Sequence, residues 1–173
     1  MSRPHTGKLA RIRVDPKIRL VVVHSARTAV AAIVSVAAAR LLRLPEAYWA
    51  PVTTLVIEQS SLGAALAVSR QRFAGTALGA AVAALVATYF GTRIPIFGAS
   101  LFLAGLLCAL ARLDRSAYRF AGVTLAIVML IPRPGPTWQL AFHRFAEVSI
   151  GIAVALLLAT LWPELGSAPP KHE

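Results

Sequence analysis

The chain is 173 residues long, 57% hydrophobic and only 14% charged, with a mean hydropathy of +0.68. That apolar surplus exceeds what a soluble domain of this length needs for its core, and it points to an all-α integral membrane protein. The net charge of +11 would favour nucleic acid in a polar chain, but here most Lys and Arg residues lie at the ends of apolar runs, where positive-inside topology and anionic headgroups account for them. Membrane lipid is therefore the expected partner, and nucleic acid is not.

Residues 1–20 carry Arg3, Lys8, Arg11, Arg13, Lys17 and Arg19 against Asp15 alone, and read as a basic cytosolic tail rather than a cleavable signal. A transmembrane module is expected over residues 21–162. Its first span, residues 21–42, repeats small residues at three- and four-residue intervals (Ser25, Ala29, Ala32, Ser35, Ala39), which lets a neighbouring helix approach closely. His24 and Arg27 are placed near its cytosolic end, where snorkelling would satisfy the arginine. Leu44, Pro45 and Glu46 make the following turn.

The second pass, residues 48–68, opens on Tyr48 and Trp49, suited to a headgroup boundary, and then meets Pro51, Glu58, Gln59, Ser60, Ser61 and Gly63. It reads either as two half-helices with backbone groups free for a substrate, or as one bent helix whose small residues permit packing. A carboxylate inside a pass is expensive unless paired, protonated or facing water, so Glu58 is the first candidate for function. Arg70 and Arg72 are read as a basic turn. The third span, residues 73–90, sets Gly75, Gly79 and Ala83 four apart, a close-packing face.

Residues 91–98, with Arg93 and Pro95, make a short outer loop, and residues 99–111 a fourth span that is short unless it starts near Ile94. Arg112, Asp114, Arg115 and Arg119 form a second basic turn before a fifth span at residues 120–131. Pro132, Arg133, Pro134, Gly135 and Pro136 close that pass, and residues 138–161 form the last between Trp138 and Trp162. Residues 163–173 are a short cytosolic tail. The result is a bundle of about six transmembrane helices whose arginine bias puts both termini in the cytosol.

The last span holds a second polar constellation, His143, Arg144 and Glu147. His143 and Glu147 share a helix face, and Arg144 reaches Glu147 from three residues away. This is either a local ion pair that makes the helix tolerable in lipid, or, with Glu58, the wall of a polar cavity that binds an ionised solute or relays a proton. One His and one Glu without further ligands do not make a metal site, and no cofactor is expected. There is no GxSxG, Walker A or HExxH motif, so neither an enzyme nor a self-sufficient ATP-driven pump is indicated. The single cysteine, Cys108, lies in an apolar run and allows no internal disulfide.

The run YWAPVTTLVIEQ, followed by a small-residue segment and RQRFAGTALGA, resembles the membrane module of the fusaric acid resistance and aromatic acid exporter superfamily. AFHRFAEVSIGIAVALL is similar to that module's final helix, where an Arg, a Glu three residues on and a Gly four beyond recur as Arg144, Glu147 and Gly151. The likeness covers nearly all of residues 27–163. Tyr48, Trp49, Thr53 and Gln59 look like the first motif, and Arg72, Gly75, Thr76 and Gly79 like the second. The resemblance implies a secondary exporter of aromatic carboxylic acids or related organic anions in a bacterial inner membrane. Larger relatives carry two modules, so a homo-oligomer, with the dimer as the first expectation, would supply the missing half. A non-transporting scaffold or accessory subunit and an anion channel are the alternatives.

Overall fold

A computed structural model describes residues 16–58, 61–132 and 134–162. The two tails up to residue 15 and from residue 163, and with them Gln59, Ser60 and Arg133, lie outside the described residues. Six helices occur among those described: α1 (Pro16–Leu41), α2 (Trp49–Ile57), α3 (Leu62–Phe90), α4 (Ile94–Leu110), α5 (Arg115–Leu130) and α6 (Thr137–Leu161).

Helix length sorts them. α1, α3 and α6 are long and apolar enough to cross a membrane. At a rise of about 1.5 Å per residue, α4 and α5 reach about 24–26 Å and α2 only about 14 Å, against a hydrocarbon layer of about 30 Å. Large apolar side chains such as Phe102, Leu110, Leu85 and Leu161 point away from the protein, as lipid-facing residues do, while the interior is built mostly from alanine.

The boundary between the second and third helices differs from the sequence expectation. Residues 70–72 are not a turn; they lie inside α3, and the reversal falls instead between the end of α2 at Ile57 and the start of α3 at Leu62. The second pass, expected over residues 48–68 as two half-helices or one bent helix, is instead a nine-residue helix that ends there, with Glu58 closing α2 through its N–H to the Thr54 carbonyl (2.9 Å) and Ser61 capping α3 by accepting from the Ala64 N–H (3.3 Å). α3 then runs through Arg70 and Arg72 because no Gly or Pro stands between Gly63 and Gly75, while Arg70 faces outward and Gln71 and Arg72 find partners on other elements. Two smaller shifts have local causes. α4 begins at Ile94 rather than in a loop to Gly98, with Pro95 in its first turn, where a missing N–H costs nothing. α5 begins at Arg115, so Arg119 is helical.

Paired contacts give the directions. Ser35 meets Thr54 and Arg27 meets Glu58, so α2 is antiparallel to α1. Ala50 and Thr53 lie at Gly151, and Ile57 packs with Ile152 and Ala155, so α2 runs parallel to α6. Phe73 stacks on Phe145 at 5.0 Å while Ala65 packs with Val148 and Ala155, which makes α3 antiparallel to α6. Gly75 faces Ala117 and Gly79 faces Ala121, so α3 and α5 are parallel; Gly105 at Tyr118 and Gly122 at Leu101 make α4 antiparallel to α5. The six helices thus alternate in direction, with α3 central between α5 on one side and α6 on the other.

The α3–α5 seam is the tightest. A Cβ built on Gly75 would strike the Ala117 carbonyl oxygen, and one on Gly79 would lie 2.8 Å from Ala121 Cα. Ala83, Ala87, Leu125 and Val128 extend this contact into the largest apolar cluster, which also takes in Cys108. α1 and α4 stop by the same device. Arg43 (φ 55°) and Arg112 (φ 52°) adopt the left-handed conformation, and the Leu44 and Leu113 N–H groups close back on the Ala39 and Cys108 carbonyls at 3.1 and 2.9 Å.

Candidate functional site

α2 is too short to bury itself by apolar area, and what holds it is polar. Its sequence, WAPVTTLVI, puts Ala50, Thr53, Thr54 and Ile57 inward, and at successive levels a buried polar group meets a different neighbouring helix.

At the first level the turn between α1 and α2 docks on α6. The Glu46 backbone N–H donates to Glu147 Oε1 (3.1 Å), and Trp49 Nε1–H donates to Glu46 Oε2 (2.9 Å). The Arg144 guanidinium lies over the Trp49 ring, 3.7 Å from its centroid, and its Nη1 is 3.7 Å from Glu147 Oε2. Arg144, Glu147 and Glu46 are all buried. A tryptophan face, two carboxylates and a guanidinium thus share one small desolvated volume, where charge and π-face interactions are stronger than at a surface.

One turn deeper, Arg72 of α3 donates through Nη2 to the Thr53 hydroxyl (3.0 Å), with its Cζ 4.9 Å from the centre of the Phe120 ring of α5. At the same depth the Thr54 hydroxyl pairs with Ser35 Oγ of α1 at 2.9 Å and reaches the carbonyl oxygens of Ala50 and Gly151, each at 3.1 Å. Gly151 makes this possible, since a Cβ there would strike the Ala50 carbonyl and the Thr53 side chain. At the far end of α2, Glu58 Oε1 is 3.0 Å from Arg27 Nε, with side-chain exposures of 4% and 3%. Arg27 is therefore an interior residue that answers a carboxylate on α2, not a snorkelling one.

The candidate residues read from the sequence separate in space. Trp49, Arg144 and Glu147 come together. Thr53 joins Arg72, a level away. Glu58 stands at the opposite end of α2 from Glu147, so the two carboxylates do not bracket one cavity, and Gln59 lies outside the described residues. Tyr48 is exposed and stacks beside Trp49 at 5.5 Å between ring centres. His143, half-buried, lines a cavity of about 770 Å³ at the end of the bundle, whose wall also includes Glu46, Gln139, Thr92, Met129 and Ile94 but not Glu147. Sequence reasoning missed Glu46, Ser35 and Thr54 as members of the site. Glu46 had a usable signal, an acid three residues before a tryptophan at a helix entry; the two hydroxyls had none. Among the described residues no group of three or more His, Cys, Asp or Glu side chains gathers as a metal site would need.

The profile of the family described as fusaric acid resistance protein-like matches residues 30–158. The chain is 30% identical over 149 residues to "Inner membrane protein YeeA" of Escherichia coli K12, covering 83% of this chain and 41% of that protein. It is 27% identical over 154 residues to "Uncharacterized transporter YdhK" of the same strain, covering 84% of this chain and 23% of that one. The chain thus spans less than half the length of these curated relatives. No solved structure is detectably similar. The match takes in α2, α3 and most of α6, with α1 from residue 30, and the chain belongs to the fusaric acid resistance protein-like family.

Proposed function

We propose that the chain forms the membrane module of a secondary exporter of aromatic carboxylic acids or related organic anions, seated in a bacterial inner membrane with both termini cytosolic and working as a homodimer. The observation that carries this reading is the unusually short second helix. A nine-residue helix held by exchangeable hydrogen bonds and ion pairs, with a cavity of about 770 Å³ against the Glu46 turn at its start, is the kind of unusually short element near which transporters build solute sites. The inner-membrane and transporter descriptions of the relatives support it.

The test is counterflow in sealed liposomes with a panel of aromatic acids and imposed pH gradients, comparing the wild type with Glu58→Gln and Glu147→Gln. Saturable flux of an aromatic carboxylate is expected. Equal flux in all three proteins without dependence on the pH gradient would reject proton coupling at these carboxylates. Absence of saturable flux from folded, inserted protein would favour a scaffold. That second reading has its own support, since Arg27–Glu58 and Arg144–Glu147 are the pairings a purely structural role would need.

A further inference from the structure

Arg72 differs from the other interior arginines. Arg27 has Glu58 and Arg144 has Glu147, but among the described residues Arg72 has only the neutral Thr53 hydroxyl and the face of Phe120. It is nonetheless 7% exposed, and its Nε–H has no hydrogen-bond partner. Asp114, the acid that faces this part of α3, accepts instead from its neighbour Gln71 at 2.8 Å, on the exposed side. One turn before Arg72, on the same face of α3, Ser69 is 3% exposed with its hydroxyl also unpartnered. A buried cation without an anion carries a desolvation penalty that neither a hydroxyl nor an aromatic face offsets, and an idle hydroxyl beside it is a second donor with nothing to receive its proton.

We infer that Arg72, with Ser69 and Thr53, is the subsite that receives the carboxylate of the transported solute, with the Phe120 ring bordering the aromatic part. The inference rests on the exporter reading and names the residues at its centre. Guanidinium nitrogens and hydroxyls match a carboxylate's two oxygens, and the Thr53–Arg72 bond is the one the solute would exchange with. α2 covers the guanidinium from one side. It is short, interrupted at both ends and carries Thr53 itself, so a shift of α2 opens the site without disturbing the close-packed α3–α5 seam.

The experiment is thermal unfolding of the full chain in detergent micelles titrated with sodium benzoate, its uncharged isostere benzamide, and sodium chloride. Benzoate should raise the wild-type midpoint in a saturable way, and benzamide and chloride should not. Arg72→Gln should weaken apparent benzoate affinity at least ~10-fold, the scale of one lost charge-assisted contact, and Arg72→Lys should keep part of it. Ser69→Ala guards against a folding defect in the arginine variants. Its hydroxyl has no partner to lose, so unliganded stability should hold while benzoate affinity falls several-fold. Equal benzoate shifts in the wild type, Arg72→Gln and Ser69→Ala would overturn the assignment, as would no shift in the wild type or an equal shift with benzamide. An equal chloride shift would reduce the site to a general anion site and overturn the carboxylate assignment. Benzoate binding that follows this pattern without liposome flux would sink the exporter reading alone; flux that ignores Arg72 and Ser69 would sink this subsite alone.

Discussion

Alanine at Gly79 tests the α3–α5 seam. The added methyl would sit 2.8 Å from Ala121 Cα and 3.0 Å from its carbonyl carbon, where ordinary contact begins near 3.4 Å, and both are backbone atoms that no rotamer change can move. α3 and α5 must separate by roughly 0.5–1 Å, which forfeits about a quarter to a half of each dispersion contact along that stretch. Overpacking of this kind costs about 1–3 kcal/mol, offset by up to about 1 kcal/mol from replacing a helical glycine with alanine. Gly98 is the matched control, because it is helical and a Cβ there meets nothing within 4 Å, so Gly98→Ala keeps the propensity gain alone. Unfolding in mixed micelles followed by circular dichroism should place Gly79→Ala about 1–3 kcal/mol below Gly98→Ala. Equal stability of the two variants would refute the close-approach argument.

Other expectations concern the polar column along α2. Glu58→Gln leaves the Arg27 charge without its carboxylate and should destabilise by about 3 kcal/mol, whereas Arg27→Gln combined with Glu58→Gln should recover much of that loss; an additive double variant in the same unfolding assay would show that the pair is not coupled. Thr54→Val keeps the shape but removes the hydroxyl that joins Ser35 to the Gly151 carbonyl, for a loss of about 1–2 kcal/mol, and unchanged stability would remove this bond from the account. Trp49→Phe deletes the indole N–H to Glu46 and should destabilise by about 1–2 kcal/mol while keeping an aromatic face for Arg144, so a loss no smaller than that of Trp49→Ala would argue against the cation–π contact. Cysteine introduced at Arg93 and at Arg115 should label from opposite sides of the membrane, because these residues begin helices that run in opposite directions; labelling of both from one side would overturn the alternating topology.

Much of this architecture was readable from composition. Long apolar runs announce helices in lipid, and the polar residues between Ile57 and Leu62, with Ser61 as a cap, announce a break. The position of the reversal between the second and third helices was misread because two arginines in an apolar stretch look like a cytosolic turn under the positive-inside rule. They are instead resolved one by one: Arg70 faces outward, Gln71 reaches Asp114, and Arg72 turns inward to Thr53 and Phe120. Helix-forming residues without a breaker were the stronger local signal. The grouping of acids was misread for a different reason. Helical spacing says which residues of one helix share a face, but not which helix that face meets, so Glu58 was joined to His143 and Glu147 when its partner was Arg27. Glu46 escaped notice because its role comes from its backbone N–H as much as from its carboxylate.

The two arginines in left-handed conformation bear on how the bundle sits in a bilayer. A non-glycine residue there carries a steric cost of about 1–2 kcal/mol that glycine would avoid, yet both helix ends hold a long cation. α1 and α4 run in opposite directions, so Arg43 and Arg112 stand at opposite ends of the molecule, both exposed. Each is tied to its helix end by a short hydrogen-bonded turn, so neither charge can drift far along the bundle axis. One exposed cation at each end of the bundle suits the two headgroup layers of a bilayer, where a guanidinium keeps its hydration. A thicker bilayer cannot be met by sliding a charged loop outward; it must be met by thinning the lipid around the protein, whereas a thinner one is met by tilting the helices.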